Sequence, residues 1–258
     1  MSVSNPQLFE HPLNERVRTF LRLEHLFEKV NYFAPLREPW DTRAAVDALL
    51  EIIAITARAD IKTELLKEID RNLSTLMRIG NQPGVDQGAL KQIMAELEQA
   101  AGDIHELSGP IASDAREDPL LKAIAQRSAI PGGACSFDVP LFHHLLIQSP
   151  ERRSARLQDW LTPMAPVHKA VALLLSLART SARPRTLTAE QGFFQEALDV
   201  QAPALMIRVG LSSELGLFPE ISGHKNRFSI RFMHADGGGS RSSQSREDVP
   251  FQLTCCIF

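Results

Sequence analysis

Cysteine is scarce in this chain, with only Cys135, Cys255 and Cys256 among 258 residues. Three thiols cannot all pair within one chain, and their spacing matches no disulfide framework. A reducing compartment is the natural setting. Tyrosine and tryptophan are also few, at one and two, and the phenylalanines of the strand carrying Arg227 and Arg231 alternate to the side opposite those arginines, so stacking platforms of the kind single-stranded RNA readers use are scarce. No basic segment leading into an apolar one opens the chain, and no apolar run approaches membrane-spanning length. The expectation is a cytoplasmic protein without membrane insertion. The net charge of -3 excludes a surface built throughout for nucleic acid, so any basic function has to come from a local patch.

Catalytic signatures are missing as well. There is no G-x-S-x-G, no P-loop, no G-x-G-x-x-G after a strand and no H-E-x-x-H. Adjacent Cys255 and Cys256 lack the C-x2-4-C spacing of structural zinc sites, and neighbours on a strand face opposite ways. A buried thiol at Cys255 is the simpler reading. His143 and His144 diverge by about 100 degrees on a helix and cannot grip one ion together, although one of them can face a binding groove. Gly237 to Gly239, with Ser240 and Arg241, resembles a phosphate loop but has no following helix to supply aligned amides. Glu117 and Asp118 beside Arg116 fit helix capping and local charge balance. The reading is of a non-enzyme with no cofactor and no metal.

What is present is an ordinary globular composition, 44% apolar and 23% charged, enough for a sizeable core. Helical periodicity dominates the first two thirds. Val17, Phe20, Leu21, Phe27 and Val30 form one stripe from Pro12 to about Val30, with Arg16, Arg18 and Arg22 largely off it. Pro35 and Pro39 then break the pattern, and Asp41 can cap a second helix. Ala44 to Ile55 is apolar almost all round and suits the spine of a helical core. Asp60 to Ile79 and Asp86 to Leu107 predict an antiparallel hairpin across the stop signals Gly80 to Gly84. Ser108 to Ser113 reads as a loop. Shorter helices are predicted at 118–127, 140–147, 151–160 and 164–182, and Ala134 to Val139 can form a short strand that joins a sheet.

From about Thr186 the period becomes two. Leu205, Ile207, Val209 and Leu211 alternate with Met206, Arg208 and Gly210, and Phe251, Leu253 and Cys255 alternate with Gln252, Thr254 and Cys256. Between them, Phe228, Ile230 and Phe232 fall on one side of a strand, and Arg227, Ser229 and Arg231 on the other. His224 and Lys225 stand just upstream in a Ser-Gly turn, and no carboxylate lies between Ile221 and Met233. Paired antiparallel with their apolar faces on the helices, the three strands would put Arg208, Arg227 and Arg231 on one outer face. Such a face can hold an acidic partner, and the same pattern also fits a solvated sheet surface. His234 to Asp248, rich in Gly and Ser, reads as a long hairpin loop. Helices followed by strands predict an α+β protein, with a mainly helical domain at 1–185 and a smaller antiparallel β-strand domain at 186–258.

Five segments taken together resemble the ZapD family of bacterial cell-division proteins. They are Phe9-Glu-His-Pro-Leu-Asn-Glu-Arg16 through Phe27, Thr63-Glu-Leu-Leu-Lys-Glu-Ile-Asp-Arg71, Pro83-Gly-Val-Asp-Gln87, Ile130-Pro-Gly-Gly-Ala-Cys-Ser-Phe-Asp-Val-Pro140 and Ile221-Ser-Gly-His-Lys-Asn-Arg-Phe228 through Met233. They run in order over nearly the whole chain. The resemblance implies a cytoplasmic, non-enzymatic homodimer of a helical and a β-strand domain. It would bind the C-terminal tail of the tubulin-like division protein FtsZ through a basic surface and bundle its filaments at the midcell ring. Carried over by position, the tail-binding candidates are Arg22, Arg58, His143, Arg227 and Arg231, with Lys225 beside them. After Arg116-Glu-Asp118 this chain has Pro119 where some relatives are expected to carry a basic residue, so that corner of the surface is either weaker here or supplied by Arg116 or Lys122. The alternative class is a nucleic-acid-binding module using the basic sheet face, although no nucleic acid is the expectation.

Overall fold

The computed structural model describes residues 6–58, 60–80, 82–199, 203–224, 226–235 and 242–257. Two compact units divide the chain. Residues up to Leu21 and from Leu175 onward form one, and Arg22–Leu174 form the other. In chain order the elements are β1 (Gln7–Pro12), α1 (Glu15–Phe33), α2 (Pro39–Arg58), α3 (Ile61–Gly80), α4 (Gln87–Glu106), α5 (Ser113–Glu117), α6 (Pro119–Arg127), α7 (Pro140–Leu146), α8 (Pro150–Leu161), α9 (Ala165–Thr180), β2 (Arg185–Ala189), β3 (Phe193–Ala197), β4 (Met206–Leu211), β5 (Leu217–His224), β6 (Arg227–His234), β7 (Ser243–Gln244) and β8 (Val249–Cys256). The protein is α+β, as its periodicities predict.

The helical unit is built around the spine the sequence marks. Ala45, Val46, Ala48, Leu49 and Ile52 of α2 are all completely buried. Leu23 and Val30 from α1, Leu65 and Ile69 from α3, Leu97 and Ile104 from α4, and Val167 and Val171 from α9 are equally inaccessible. The α3–α4 hairpin closes as expected, with the Asp86 carboxylate accepting from Gly88 N and Ala89 N to cap α4. Asp118 likewise caps α6 through Leu120 N and Leu121 N, and its other oxygen accepts from Arg156 and from Trp160 Nε1 at 3.1 Å. Part of the segment read as a loop at 108–113 leads directly into the short helix α5.

Two further expectations are corrected here. Ala134–Val139 is a series of turns rather than a strand, because Pro131, Gly132 and Gly133 feed it and backbone bonds such as Val139 N to Cys135 O close local loops. The helical run Pro150–Thr180 does contain a segment long and apolar enough to cross a membrane by length and composition. Its apolar residues Val167, Val171, Leu174 and Leu175 are buried against the protein instead.

The sheet unit is two antiparallel sheets laid face to face. One has the order β1-β4-β8-β2 and the other β3-β6-β5, with β7 pairing β6. Ile207 and Val209 from β4, Phe228, Ile230 and Phe232 from β6, and Phe251 and Leu253 from β8 form one core. The Phe232 and Phe251 rings, one from each sheet, are 5.0 Å apart. The apolar faces of the strands therefore cover each other, where the sequence reading packed them on helices. At one edge Arg185 of β2 pairs with Glu196 of β3 at 2.8 Å and ties the sheets together.

Sheet membership also separates the arginines. Arg208 is on β4 and Arg227 and Arg231 are on β6, in different sheets, so the shared outer face of three arginines does not exist. Arg208 is instead tied to Glu10 of β1 at 2.9 Å, and Glu10 accepts two bonds of 2.8 Å from Arg179 of α9. Cys256 emerges from β8 on this side and is fully buried, while Cys255 packs partly against the inter-sheet core. Burial pushes the Cys256 thiol up to about 11.

Gly223, read as a turn signal, is a strand residue. A Cβ there would come within 2.4 Å of Leu13 Cδ2 and 3.3 Å of the His11 ring, so its glycine serves close packing. Ser222 and His224 belong to β5 with it.

Candidate partner-binding surface

The clearest cationic face is the outer side of β6. Phe228, Ile230 and Phe232 are at most 2% exposed, whereas Arg227 and Arg231 are open to solvent. Alternation alone produces that division, and four strand steps separate the two arginines by about 13 Å. The antiparallel register adds their neighbours. Arg231 is opposite Glu220 of β5 and Phe193 of β3, while Arg227 is opposite His224 and Ala197. Gln195, Ser229 and Ser222 form the row between. Glu220 and Phe193 are the residues the sequence reading missed, since Glu220 stands just before Ile221 and Phe193 far upstream, and only the register puts both opposite Arg231.

The remaining candidates are in the helical unit, each on its own helix. Arg22 is exposed on α1, and Arg58 is exposed at the last position of α2, where a cation complements the helix dipole. Arg116 is half-buried on α5, with its Nε out of water and without a hydrogen-bond partner among the described residues. His143 is exposed on α7. Among the described residues, no hydrogen bond or ion pair joins any two of these candidates. Lys225, and the glycines and Arg241 read as phosphate-friendly, lie outside the described residues. Of the segment read as one long loop, Ser243–Gln244 pairs with Met233–His234 of β6 as β7.

His143 does face a groove. It lines a cavity of about 390 Å³ together with Trp40, Arg43, Ile147 and Arg153. Trp40 and Arg43 also line a wider neighbouring cavity of about 740 Å³ with Leu50, Ile124 and Ile130. The scaffold around them is held by the buried Arg153 of α8, whose Nε donates to Thr42 Oγ1 at 3.0 Å and whose terminal nitrogens donate to the carbonyls of Leu146, Gln148 and Arg37. One side chain thus fixes α2, α7 and the connection before α2 around a shared apolar opening. Sequence reasoning gave Arg153 no role, because its partners come from three separate segments.

No group of three or more His, Cys, Asp or Glu side chains among the described residues could hold a metal. The model of the cell division protein ZapD family matches residues 21–231, which includes α1 from Leu21, the groove and β6 as far as Arg231. The chain belongs to the ZapD family. Its similarity to individual ZapD proteins is nearly full-length. It is 44% identical to the cell division protein ZapD of Methylococcus capsulatus over 99% of this chain and 100% of that one. For the proteins of the same name from Dechloromonas aromatica and Nitrosomonas eutropha the identities are 40% and 36%, each over 96% of this chain and 98% of the relative. ZapD membership makes this a cell-division protein, and its relatives carry no enzyme name.

Proposed function

We propose that this chain is a non-catalytic division accessory that binds the C-terminal tail of FtsZ through basic side chains and, as a homodimer, crosslinks FtsZ filaments in the cytoplasm at the division ring. The observation that carries the reading is the β6 face, where two exposed arginines are backed by fully buried phenylalanines. Such a face presents positive charge on a rigid support and fits the carboxylates of an acidic tail. Arg22, Arg58, Arg116 and His143 are the further contacts proposed on the helical unit.

Magnitudes shape the mechanism. Exposed ion pairs contribute about 0.2 to 1 kcal/mol each, and micromolar affinity requires about 8 kcal/mol. Four such pairs fall short, so the tail needs an apolar contact, a second site, or both. A dimer presents two sites, and a polymer presents many tails at high effective concentration, which lets weak single contacts gather filaments.

The test is a titration of labelled FtsZ tail peptide into the purified protein, with sedimentation of intact and tail-less FtsZ filaments alongside. Binding of the peptide and bundling only of intact filaments by a dimeric protein is the expected result. Bundling of tail-less filaments, or a monomer in sedimentation velocity, overturns the reading. One observation favours a second reading, a nucleic-acid-binding module: Phe193 places an aromatic ring beside Arg231 on the open face. Oligonucleotide binding by fluorescence anisotropy, with indifference to the tail peptide, would establish that alternative.

A further inference from the structure

A single exposed apolar side chain is ordinary, but several that line one groove mark a place where a partner can bind. Trp40 is 77% exposed and Ile147 is 67% exposed, both lining the same groove, while the chain's other tryptophan, Trp160, is 4% exposed. Trp40 is also braced. The Arg43 guanidinium is 5.3 Å from the Trp40 ring centroid and 4.8 Å from that of buried Phe142, and its Nη1 donates to Ala134 O at 2.9 Å. An exposed ring held this way has already lost much of the freedom that binding would otherwise cost.

The groove has one sign of charge. Arg43, Arg153 and His143 line it, and no carboxylate does. Among nearby carboxylates, Glu151 is engaged by Arg37 at 2.7 Å, Asp41 by the Glu38 amide at 2.9 Å and Glu51 by Lys29 at 3.7 Å, while Asp47, which lines the neighbouring cavity, offsets part of the charge of Arg43. The Arg153 N–H groups are committed to Thr42 and three carbonyls, so Arg153 offers the groove charge rather than hydrogen bonds. Apolar walls with only basic groups among them complement a large aliphatic or aromatic side chain flanked by acids.

We propose that the Trp40 groove is the anchor pocket for such a side chain on an acidic peptide. Under the tail-binding reading, on which this rests, that peptide is the FtsZ tail, and the groove supplies the apolar contact that ion pairs alone cannot. The pocket takes the peptide's apolar residue between Trp40 and Ile147, and His143 and Arg43 meet the adjacent carboxylates.

The experiment uses the full chain and two labelled peptides, the FtsZ C-terminal tail and a version with its apolar residues changed to serine and its acids kept. The intact tail should protect Trp40 from acrylamide quenching. Trp40→Ala should weaken the intact tail about tenfold or more, yet leave the weak binding of the serine peptide unchanged, with circular dichroism as wild type. Ile147→Ser is a second variant with the same expected pattern, should Trp40→Ala fail to fold. Equal affinity of wild type and both variants for the intact tail overturns the anchor and leaves the tail reading standing. No binding of the tail to the wild-type protein overturns both. Dissociation of a dimer by Trp40→Ala, with unchanged tail affinity, also overturns it and assigns the groove to a second copy of the chain.

Discussion

Arg231 and Glu220 occupy directly opposed positions on the outer face of the β5–β6 ladder. Side chains so placed have Cβ atoms about 4.5 to 5.5 Å apart, so the carboxylate offsets part of the charge that Arg231 offers a partner. Arg227 has no carboxylate in register, with Ala197 on one side and His224 on the other. The two arginines are therefore unequal. Arg227→Glu should weaken tail-peptide binding at least tenfold, and Arg231→Glu somewhat less. Glu220→Gln should strengthen it by about 0.2 to 1 kcal/mol. Peptide anisotropy measures all three, and circular dichroism should stay as wild type because each side chain is exposed. A loss of fold in either arginine variant would mean that these side chains carry structure rather than binding.

The faces of β6 were legible because alternation is a local property, and Phe228, Ile230 and Phe232 needed only a core to choose their side. Which strand lies next to which is not local. Arg208 has the same apparent pattern as Arg227, yet long-range pairing puts it in the other sheet, against Glu10. The first strand escaped notice for a related reason. Gln7–Pro12 ends in proline and has no fully buried residue, so its pairing with β4 depends on a partner about two hundred residues away. Helices α2, α3 and α4 were readable within a few residues because 20-residue amphipathic or apolar segments carry their own period. The Trp40 groove was invisible, since its walls come from 39–43 and 143–153 and neither segment alone signals a cavity.

Salt should separate the electrostatic part of filament bundling from the rest. The screening length falls from about 10 Å at 0.1 M to about 3 Å at 1 M. Contacts made by exposed Arg22, Arg58, Arg227 and Arg231 should fade over that range. Light scattering of FtsZ filaments with this protein is expected to drop steeply with added salt. Unchanged scattering would remove charge from the mechanism.

The inter-sheet core predicts a large stability effect with no direct effect on binding. Phe232 is fully buried and stands 5.0 Å from Phe251 across the two sheets. Phe232→Ala should cost about 3 to 5 kcal/mol, from lost transfer energy and the cavity left behind. Urea unfolding followed by circular dichroism measures it. A cost below about 1 kcal/mol would show that the two sheets do not share this core.

Acid should loosen the sheet unit through Glu10. Burial favours the neutral carboxyl, but the hydrogen bond and charge of Arg179 and the charge of Arg208 outweigh it, and the group titrates below its ordinary 4.5. With the folded value depressed, the unfolded chain binds the proton first as pH falls. The stabilisation is therefore present above about pH 4.5 and is lost as pH drops through the folded value. Removing the charge leaves Arg179 and Arg208 without their shared counter-ion in a site about 20% exposed. Glu10→Gln should accordingly destabilise the fold at pH 7, and the gap to wild type should narrow as pH falls through the folded value. Hydrogen exchange in peptides covering Gln7–Pro12 and Met206–Leu211 reports this directly, because Glu10 and Arg208 are in register on those two strands. Faster exchange of both peptides at pH 7, converging with wild type in acid, is the expected result. A difference between the proteins that does not change with pH would mean that Glu10 acts by packing and not by charge.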